Sequence, residues 1–315
     1  MKLISIVSPC YNEEENVLAL YEQVKAIFKN FPQYSYEHIF IDNASTDKTV
    51  EIIREIAAKD KNVKLIINSR NFGHIRSPFY GLLQAKGDAV ILLVSDLQDP
   101  PSLIPEFIQK WEEGYKIAVG VKNQSHESPF MFAIRKWGYR LISKISNVRL
   151  IKNFTGFGLY DQSIIEILRQ MDDPYPYFRG MISEIGFEAA QISFTQPARK
   201  RGLTKNNFYT LYDIGMLGIT SHSKVPIRLA AMAGFALSIL SFFMAIIFTL
   251  LKIIFWSHFS LGIAPILIRF FFFSSVQLFF IGLLGEYIGA IHTQVMKRPL
   301  VIEKERVNFD PLTRE

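Results

Sequence analysis

Three short runs of acids and amides stand out in the sequence, each placed just after an apolar stretch. They are Pro9-Cys10-Tyr11-Asn12-Glu13-Glu14, then Asp42-Asn43-Ala44-Ser45-Thr46-Asp47, then Ser95-Asp96-Leu97-Gln98-Asp99-Pro100-Pro101. Carboxylates and amide oxygens gathered at one place can hold a hard divalent ion, and Mg²⁺ takes one or two carboxylates plus the phosphate oxygens of a substrate. The competing role for a single Asp at such a position is to cap a helix. Asp47 reads as a cap, and Ser102 as another. Three acidic runs together favour a site over three coincidental caps.

These runs need elements that bring them together. Leu3–Ser8, His38–Asp42, Val63–Ile67, Ala89–Val94 and Lys116–Gly120 are short, apolar and mostly bounded by polar or Gly/Pro residues, as strands are. Helical patterns lie between them, at Glu13–Phe28, Asp47–Lys59 and Ser102–Trp111; in the second, Val50, Ile53 and Ile56–Ala57 recur at helical spacing. Strands alternating with helices predict an α/β domain with a mostly parallel sheet. In such sheets ligands bind outside the carboxyl ends of the strands, which is where all three acidic runs fall.

Composition narrows the class. The chain has 315 residues, 49% apolar and 20% charged, with one cysteine. Cys10 alone excludes an internal disulfide and a thiolate zinc cluster. A mean hydropathy of +0.17 is too apolar for disorder. The 35 Lys+Arg against 29 Asp+Glu give +6, a basic excess suited to an anionic membrane face or anionic ligands. No block of five like charges occurs, which argues against a nucleic-acid partner. Neither G-x-G-x-x-G after the first strand nor G-x-x-x-x-G-K-[ST] is present, so dinucleotide and phosphate-loop folds are disfavoured.

The C-terminal part reads as membrane. Leu229–Leu251 carries no charge over 23 residues; as a helix it would be about 34 Å long, against a hydrocarbon core of about 30 Å. A second apolar stretch follows, and spans are expected at about 229–252 and 268–291 of a membrane segment 229–292. Lys224 and Arg228 precede the first span and Lys297 and Arg298 follow the second. By the positive-inside rule both termini are expected in the cytosol. The N-terminus has no secretory-signal pattern, in keeping with a cytosolic start. Residues 206–228 read as an interfacial segment and 293–315 as a cytosolic tail. Phe130–Ile145 sets Phe130, Ile134, Trp137, Leu141 and Ile145 on one helical face and Arg135, Lys136, Arg140 and Lys144 on another. That helix either lies on a membrane surface or packs on the sheet, and the pattern leaves both open.

An ordered set of motifs carries a resemblance. It comprises SIVSPCYNEEEN, IDNASTDKT, NFGH with a later GLLQAKGDAV, SDLQDPP, FGLYD at 157–161 and RKRGLTK at 199–205, followed by the helical hairpin. Over nearly its whole length the chain resembles membrane-bound family-2 glycosyltransferases of the polyprenyl-phosphate sugar-synthase kind, bactoprenol glucosyltransferases in particular. The resemblance implies a GT-A nucleotide-sugar-binding domain over 1–205, interfacial helices, and a two-helix transmembrane hairpin. Pro9, Tyr11, Glu13 and Asp42 would hold the nucleotide. Asp96 and Gln98 would hold a divalent metal, Mg²⁺ or Mn²⁺, at the diphosphate of a UDP-sugar. The family usually has D-x-D there, and this chain has Val94 first. Asp161 matches a proposed catalytic base; orienting the substrate and capping a helix are its other readings. Relatives often have Arg at Gly158, so Arg199, Arg201 and Lys205 become candidates for a phosphate, with Arg201 at a polyprenyl-phosphate acceptor. An enzyme of the cytoplasmic membrane is expected, a homo-oligomer packed through the hairpin, where Gly282, Gly285 and Gly289 permit close approach. The alternatives are the same chemistry with another donor, GDP-mannose or a modified UDP-sugar, and a catalytically silent membrane scaffold homologue.

Overall fold

A computed structural model describes residues 1–123, 151–196, 216–217, 220, 225–254 and 263–309. It begins with β1 (Lys2–Cys10), α1 (Val17–Lys29), β2 (Tyr34–Asp42), α2 (Thr49–Lys59), β3 (Val63–Asn68), α3 (Gly73–Gln84) and β4 (Ala89–Leu92). The strands are near-continuous apolar runs because helices cover both faces of the sheet. Alternate residues feed two cores: Ile4, Ile6 and Phe40 face one with Leu20 and Ile53. Val7, Ile39 and Ile41 face the other with Phe79 and Leu82. Helix α1 buries Val17, Leu20, Val24 and Phe28, a stripe at three- and four-residue intervals.

A short 3₁₀ turn (Pro101–Leu103) and α4 (Ile104–Glu112) lead to β5 (Ile117–Lys122), after which come β6 (Phe154–Asp161), α5 (Gln162–Met171), α6 (Phe178–Ile185) and β7 (Ala189–Phe194). With β8 (Glu303–Val307), the sheet has the order β7-β5-β6-β4-β1-β2-β3-β8. Strands β1 to β4 are mutually parallel where they pair, and β6 runs against both β4 and β5. The five strands expected from sequence are β1 to β5. Strand β6 is weakly marked because glycines interrupt it, and the structure shows why Gly158 is there. A Cβ on Gly158 would sit 2.5 Å from the Ala118 carbonyl oxygen and 3.0 Å from Val119 Cα. A larger residue at 158 would push β6 off β5.

The segment read as a tail is in part a strand. β8 pairs antiparallel with β3, Leu65 opposite Val307 and Ile67 opposite Glu305. Its side chains bind the domain as well: Arg54 grips Glu305 through two nitrogens at 2.7 and 2.6 Å, and Asn308 donates to the carbonyls of Ala57 and Val63 at 2.7 and 2.8 Å. Its sequence, EKERV, hid it, because an edge strand with charged side chains lacks an apolar run.

The chain forms two compact units, the sheet with its helices and a unit containing α7 (Val225–Ile254) and α8 (Ile263–Val295). These two helices are long and apolar enough to cross a membrane. Phe235, Phe242, Phe243, Phe270, Phe279 and Ile288 are among their exposed apolar side chains. They extend beyond the expected spans at both ends. Most of the interfacial segment 206–228, and all of Phe130–Ile145, lie outside the described residues.

Candidate active site

The chain steps from β1 outward through β2 and β3, then returns to place β4 on the other side of β1. That reversal opens a crevice between the carboxyl ends of β1 and β4, the position where open α/β sheets bind ligands. Pro9 and Cys10 end one wall, and Ser95 and Asp96 follow the other. Asp42, opposite Cys10 in the register, ends β2 at the same edge. The structure therefore brings Pro9, Tyr11, Glu13, Asp42, Asp96 and Gln98 to one edge, as the sequence implies.

The first two acidic runs brace one another. The Asn12 amide donates to Ser45 Oγ at 2.9 Å, and the Thr46 amide donates to Asn12 Oδ1 at 2.8 Å. The Glu13 amide donates to Thr49 Oγ1 at 2.8 Å, and Asn16 Nδ2 donates to the Glu13 carboxylate at 2.6 Å. Asn12 and Ala44 sit in the left-handed region at φ 56 and 62, so both loops turn sharply away from their strands. Asp42 is fully buried. Its carboxylate accepts from Ser45, through the backbone amide at 2.9 Å and through the hydroxyl. Burial raises its pKa, and the Ser45 hydrogen bonds oppose that rise. Cys10 is buried too, its thiol donating to the Ile41 carbonyl at 3.5 Å. Burial and the nearby Asp42 push that thiol well above its ordinary pKa, so it is no nucleophile.

Asn43 uses both ends of its amide. Nδ2 donates to Asn71 Oδ1 at 2.9 Å and the Gly73 carbonyl at 3.2 Å, while Oδ1 accepts from the Phe72 amide at 2.8 Å and from Asn68 Nδ2 at 3.2 Å. A carboxylate could not supply the donor half. Asn43 thereby fixes the loop between β3 and α3.

The third run makes a tight turn in which the Gln98 amide donates to Asp96 Oδ1 at 3.1 Å around Leu97 at φ 56. Two neighbours were not singled out from sequence. Ser95 Oγ is buried and has no hydrogen-bond partner among the described residues. Asp99 is buried beside Asp96 and Lys122. Burial lifts its pKa to about 7, with Lys122 opposing and Asp96 adding to the rise. The spacing S-D-x-x-D was the available signal for both.

For a divalent ion the donors here are Asp96, Gln98 and Asp99, all oxygen, which suits Mg²⁺ or Mn²⁺. Among the described residues no group of three His, Cys, Asp or Glu is gathered tightly enough to hold an ion. That agrees with Val94 at the usual first Asp: the protein offers a partial shell, of the kind that substrate phosphates complete. With the orphaned Ser95 hydroxyl in the same turn, the residues fit such an ion.

Asp161 lies at a different edge from Asp96. In the antiparallel pairing of β6 with β4 it stands opposite Ala89, while Gly158 stands opposite Leu92. Asp161 is thus at the amino edge of the sheet, with about 10 Å of β4 and the turn beyond it separating it from Asp96. Its carboxylate accepts from Trp111 Nε1 at 2.8 Å, Lys116 Nζ at 2.9 Å and the Ser163 amide at 3.1 Å, and it caps α5. Burial would raise its pKa, but the hydrogen bonds from Ser163, Trp111 and Lys116 outweigh that and bring it to about 2. A carboxylate so engaged is a poor base. Arg199, Arg201 and Lys205 lie outside the described residues.

Comparison with known proteins settles the family. Residues 5–166 match the model of "Glycosyl transferase family 2". The chain belongs to that family. It is 33% identical over 307 residues to the uncharacterized glycosyltransferase YkcC of Bacillus subtilis, covering 97% of this chain and 94% of the relative. It is 32% identical over 309 residues to the SfII prophage-derived bactoprenol glucosyl transferase of Shigella flexneri, covering 98% and 99%. Among solved structures, glucosyl-3-phosphoglycerate synthase from Mycobacterium tuberculosis, in complex with Mn²⁺, UDP and phosphoglyceric acid, is similar with a TM-score of 0.45 and 18% identity, covering 70% of this chain and 76% of that one. This glycosyltransferase has the GT-A arrangement expected from its motifs, a mostly parallel mixed sheet flanked by helices.

Proposed function

We propose that this glycosyltransferase transfers a hexose, glucose, from a UDP-sugar to undecaprenyl phosphate with inversion, at the cytosolic face of the membrane. The observation that carries the reading is the reversal of strand order between β1 and β4, with Asp96 and Gln98 in the turn after β4, in a chain similar end to end to bactoprenol glucosyl transferases. Pro9, Tyr11, Glu13 and Asp42 would hold the nucleotide. Asp96 and Gln98 would hold Mg²⁺ or Mn²⁺, which when bound neutralises charge on the departing diphosphate.

The acceptor explains why no base is needed at the crevice. A phosphate monoester has a second pKa near 6 and is mostly a dianion at pH 7. It can attack the anomeric carbon without surrendering a proton, so Asp161 at the far edge is no loss. What the protein supplies is positioning and electrostatic stabilisation. Arg199, Arg201 and Lys205 would meet the acceptor phosphate.

Strand β8 supports the membrane topology. It follows α8 yet pairs with β3, which precedes α7, in the same sheet. If both helices cross the bilayer, the chain must leave and re-enter on the domain's side, which fits a hairpin with both termini cytosolic. Assembly through the hairpin would use Gly282, Gly285 and Gly289. The test is UDP release from UDP-glucose by membranes holding the chain, with and without undecaprenyl phosphate, followed by a screen that varies nucleotide and sugar separately. Release that depends on the lipid and on UDP-glucose is expected; a chain inert with every donor would overturn the proposal in favour of a silent scaffold.

A further inference from the structure

Three arginines converge where the chain re-enters the catalytic domain. Arg70 lies in the loop after β3, Arg76 in the first turn of α3, and Arg298 three residues after α8 ends at Val295. The guanidinium groups of Arg70 and Arg76 both lie over the Phe72 ring, 4.1 and 5.8 Å from its centre. Arg76 donates through Nη2 to the Pro299 carbonyl, which ties α3 to the segment that holds Arg298. Its Nε is buried without a hydrogen-bond partner among the described residues.

The electrostatics of this cluster are unbalanced. Burial lowers the pKa of Arg76, and Arg70 and Arg298 lower it further by repulsion. Among the described residues none of the three pairs with a carboxylate, whereas Arg54 and Arg306 nearby in the fold take Glu305 and Glu303. Two guanidinium groups over one aromatic ring, a third close enough to repel Arg76 and a buried donor unused suit an anion from outside.

We propose that Arg70, Arg76 and Arg298 form a binding site for the phosphate of a bilayer phospholipid headgroup, which seats the catalytic domain on the membrane. The proposal rests on α8 spanning the bilayer, since that puts Arg298 within a few residues of the headgroup layer. The site is not the acceptor's. Arg70 follows β3, and β3 stands three inter-strand spacings, about 14 Å, from β4, after which Asp96 lies. Guanidinium groups suit the task because they bind phosphate oxygens in pairs and remain charged when partly buried.

The test uses the full-length chain purified in detergent, titrated with phosphatidylglycerol or phosphatidylcholine and read by native mass spectrometry, with UDP and inorganic phosphate as separate arms. Phosphatidylglycerol should bind the wild-type chain in preference to phosphatidylcholine. Arg76→Gln and Arg298→Gln should each weaken it about tenfold, Arg76→Lys should recover part, and UDP affinity should stay within about twofold. Arg298 is exposed, so its replacement leaves the fold intact and keeps the test decisive if Arg76→Gln misfolds. Unchanged phosphatidylglycerol binding in folded Arg298→Gln would overturn the site. So would a parallel fall in UDP affinity, which marks a nucleotide subsite, or inorganic phosphate binding as tightly as the lipid. Alkaline extraction of membranes tests the spanning helix separately: release of the chain would defeat that reading, whereas retention without lipid preference would defeat the arginine site alone.

Discussion

At the amino edge of the sheet every acid examined by its contacts is answered by the protein itself. Asp161 takes Trp111, Lys116 and Ser163; Glu37 takes Lys64 and Ser5, both at 2.5 Å, and Asp88 accepts from the Leu3 amide at 2.7 Å. At the carboxyl edge the answers are incomplete. Among the described residues Asp42 is held by Ser45 and by no cation and Ser95 Oγ has no partner, while burial lifts Asp99 to about 7, with Lys122 opposing and Asp96 adding to the rise. Two acidic edges thus have different purposes. Where hydrogen bonds from the fold outweigh burial, as at Asp161, the acid stabilises; where burial outweighs them, as at Asp99, the acid is poised for a ligand.

The sharpest way to break this contrast is to neutralise one acid at each edge. Asp96→Asn should lower turnover by at least about 100-fold, the scale of losing a group that stabilises the leaving diphosphate, with UDP release as the measurement. Asp161→Asn should leave kcat within about threefold at temperatures where it stays folded. If Asp161→Asn matched Asp96→Asn in a folded protein, the division between the edges would fail.

Stability should reverse the ranking. Asp161→Asn gives up charged hydrogen bonds to Lys116 and Trp111 and weakens a helix cap, at a cost of about 2–3 kcal/mol, measurable as a shift in denaturant midpoint. The acid limb sharpens this. The folded pKa of Asp161, about 2, lies below its unfolded value. Its contribution is therefore whole above pH ~4 and is lost as pH falls toward 2. Wild type and Asp161→Asn should differ above pH ~4 and converge below it; a gap that persisted at the lowest pH would mean the carboxylate's charge is not what stabilises.

A buried histidine between the edges sets an earlier acid loss. His38 stacks on Phe40 with centroids 4.1 Å apart and bonds Ser8 Oγ at 2.9 Å through Nε2. Burial lowers its pKa to about 3, so the folded state stays unprotonated where the unfolded chain gains a proton. Stability is whole above the unfolded value of 6.5 and declines as pH falls toward 3. About 1 kcal/mol should go between pH 7 and 5.5. Replacing the pair together, as Ser8→Ala with His38→Leu, should flatten that limb; an unchanged slope would assign it to other groups.

How far the sequence discloses this differs by element. Strands β1 to β5 are legible because parallel strands buried on both faces must be apolar throughout, and the acidic runs after them are legible because the edge is polar. The edge at which Asp161 falls is not legible because β6 runs antiparallel to β4: a residue at the end of that strand falls at the opposite edge, and direction within a sheet is a long-range property. β8 is hidden by its charges, which an edge strand tolerates. Ser95 and Asp99 sit inside a motif that was recognised, yet their burial depends on how the turn around Leu97 folds back. Gly158 looked like a lost arginine; the close approach of Ala118 shows a packing requirement.

The smallest effect concerns a residue at the functional edge that behaves like one from the other side. Asn43 lies next to Asp42, and a second acid there would seem harmless or helpful to ligand binding. The contacts argue otherwise. Two of its four hydrogen bonds need a donor, to Asn71 Oδ1 and the Gly73 carbonyl. A carboxylate would set oxygen against oxygen in both. Asn71 also receives the Gly73 amide at 2.8 Å, and Gly73 sits at φ +86, so the loop has little freedom to find new partners. Asn43→Asp should therefore cost about 1 kcal/mol, the lower end for an unsatisfied group because the loop opens to water. The loss should be local, as faster amide hydrogen exchange at Phe72 and Gly73 with exchange in β1 and β4 unchanged. Normal protection at Phe72 and Gly73 in Asn43→Asp would show that the amide's donor half does not hold the loop, and Asn43 would then return to the candidate ligand residues beside Asp42.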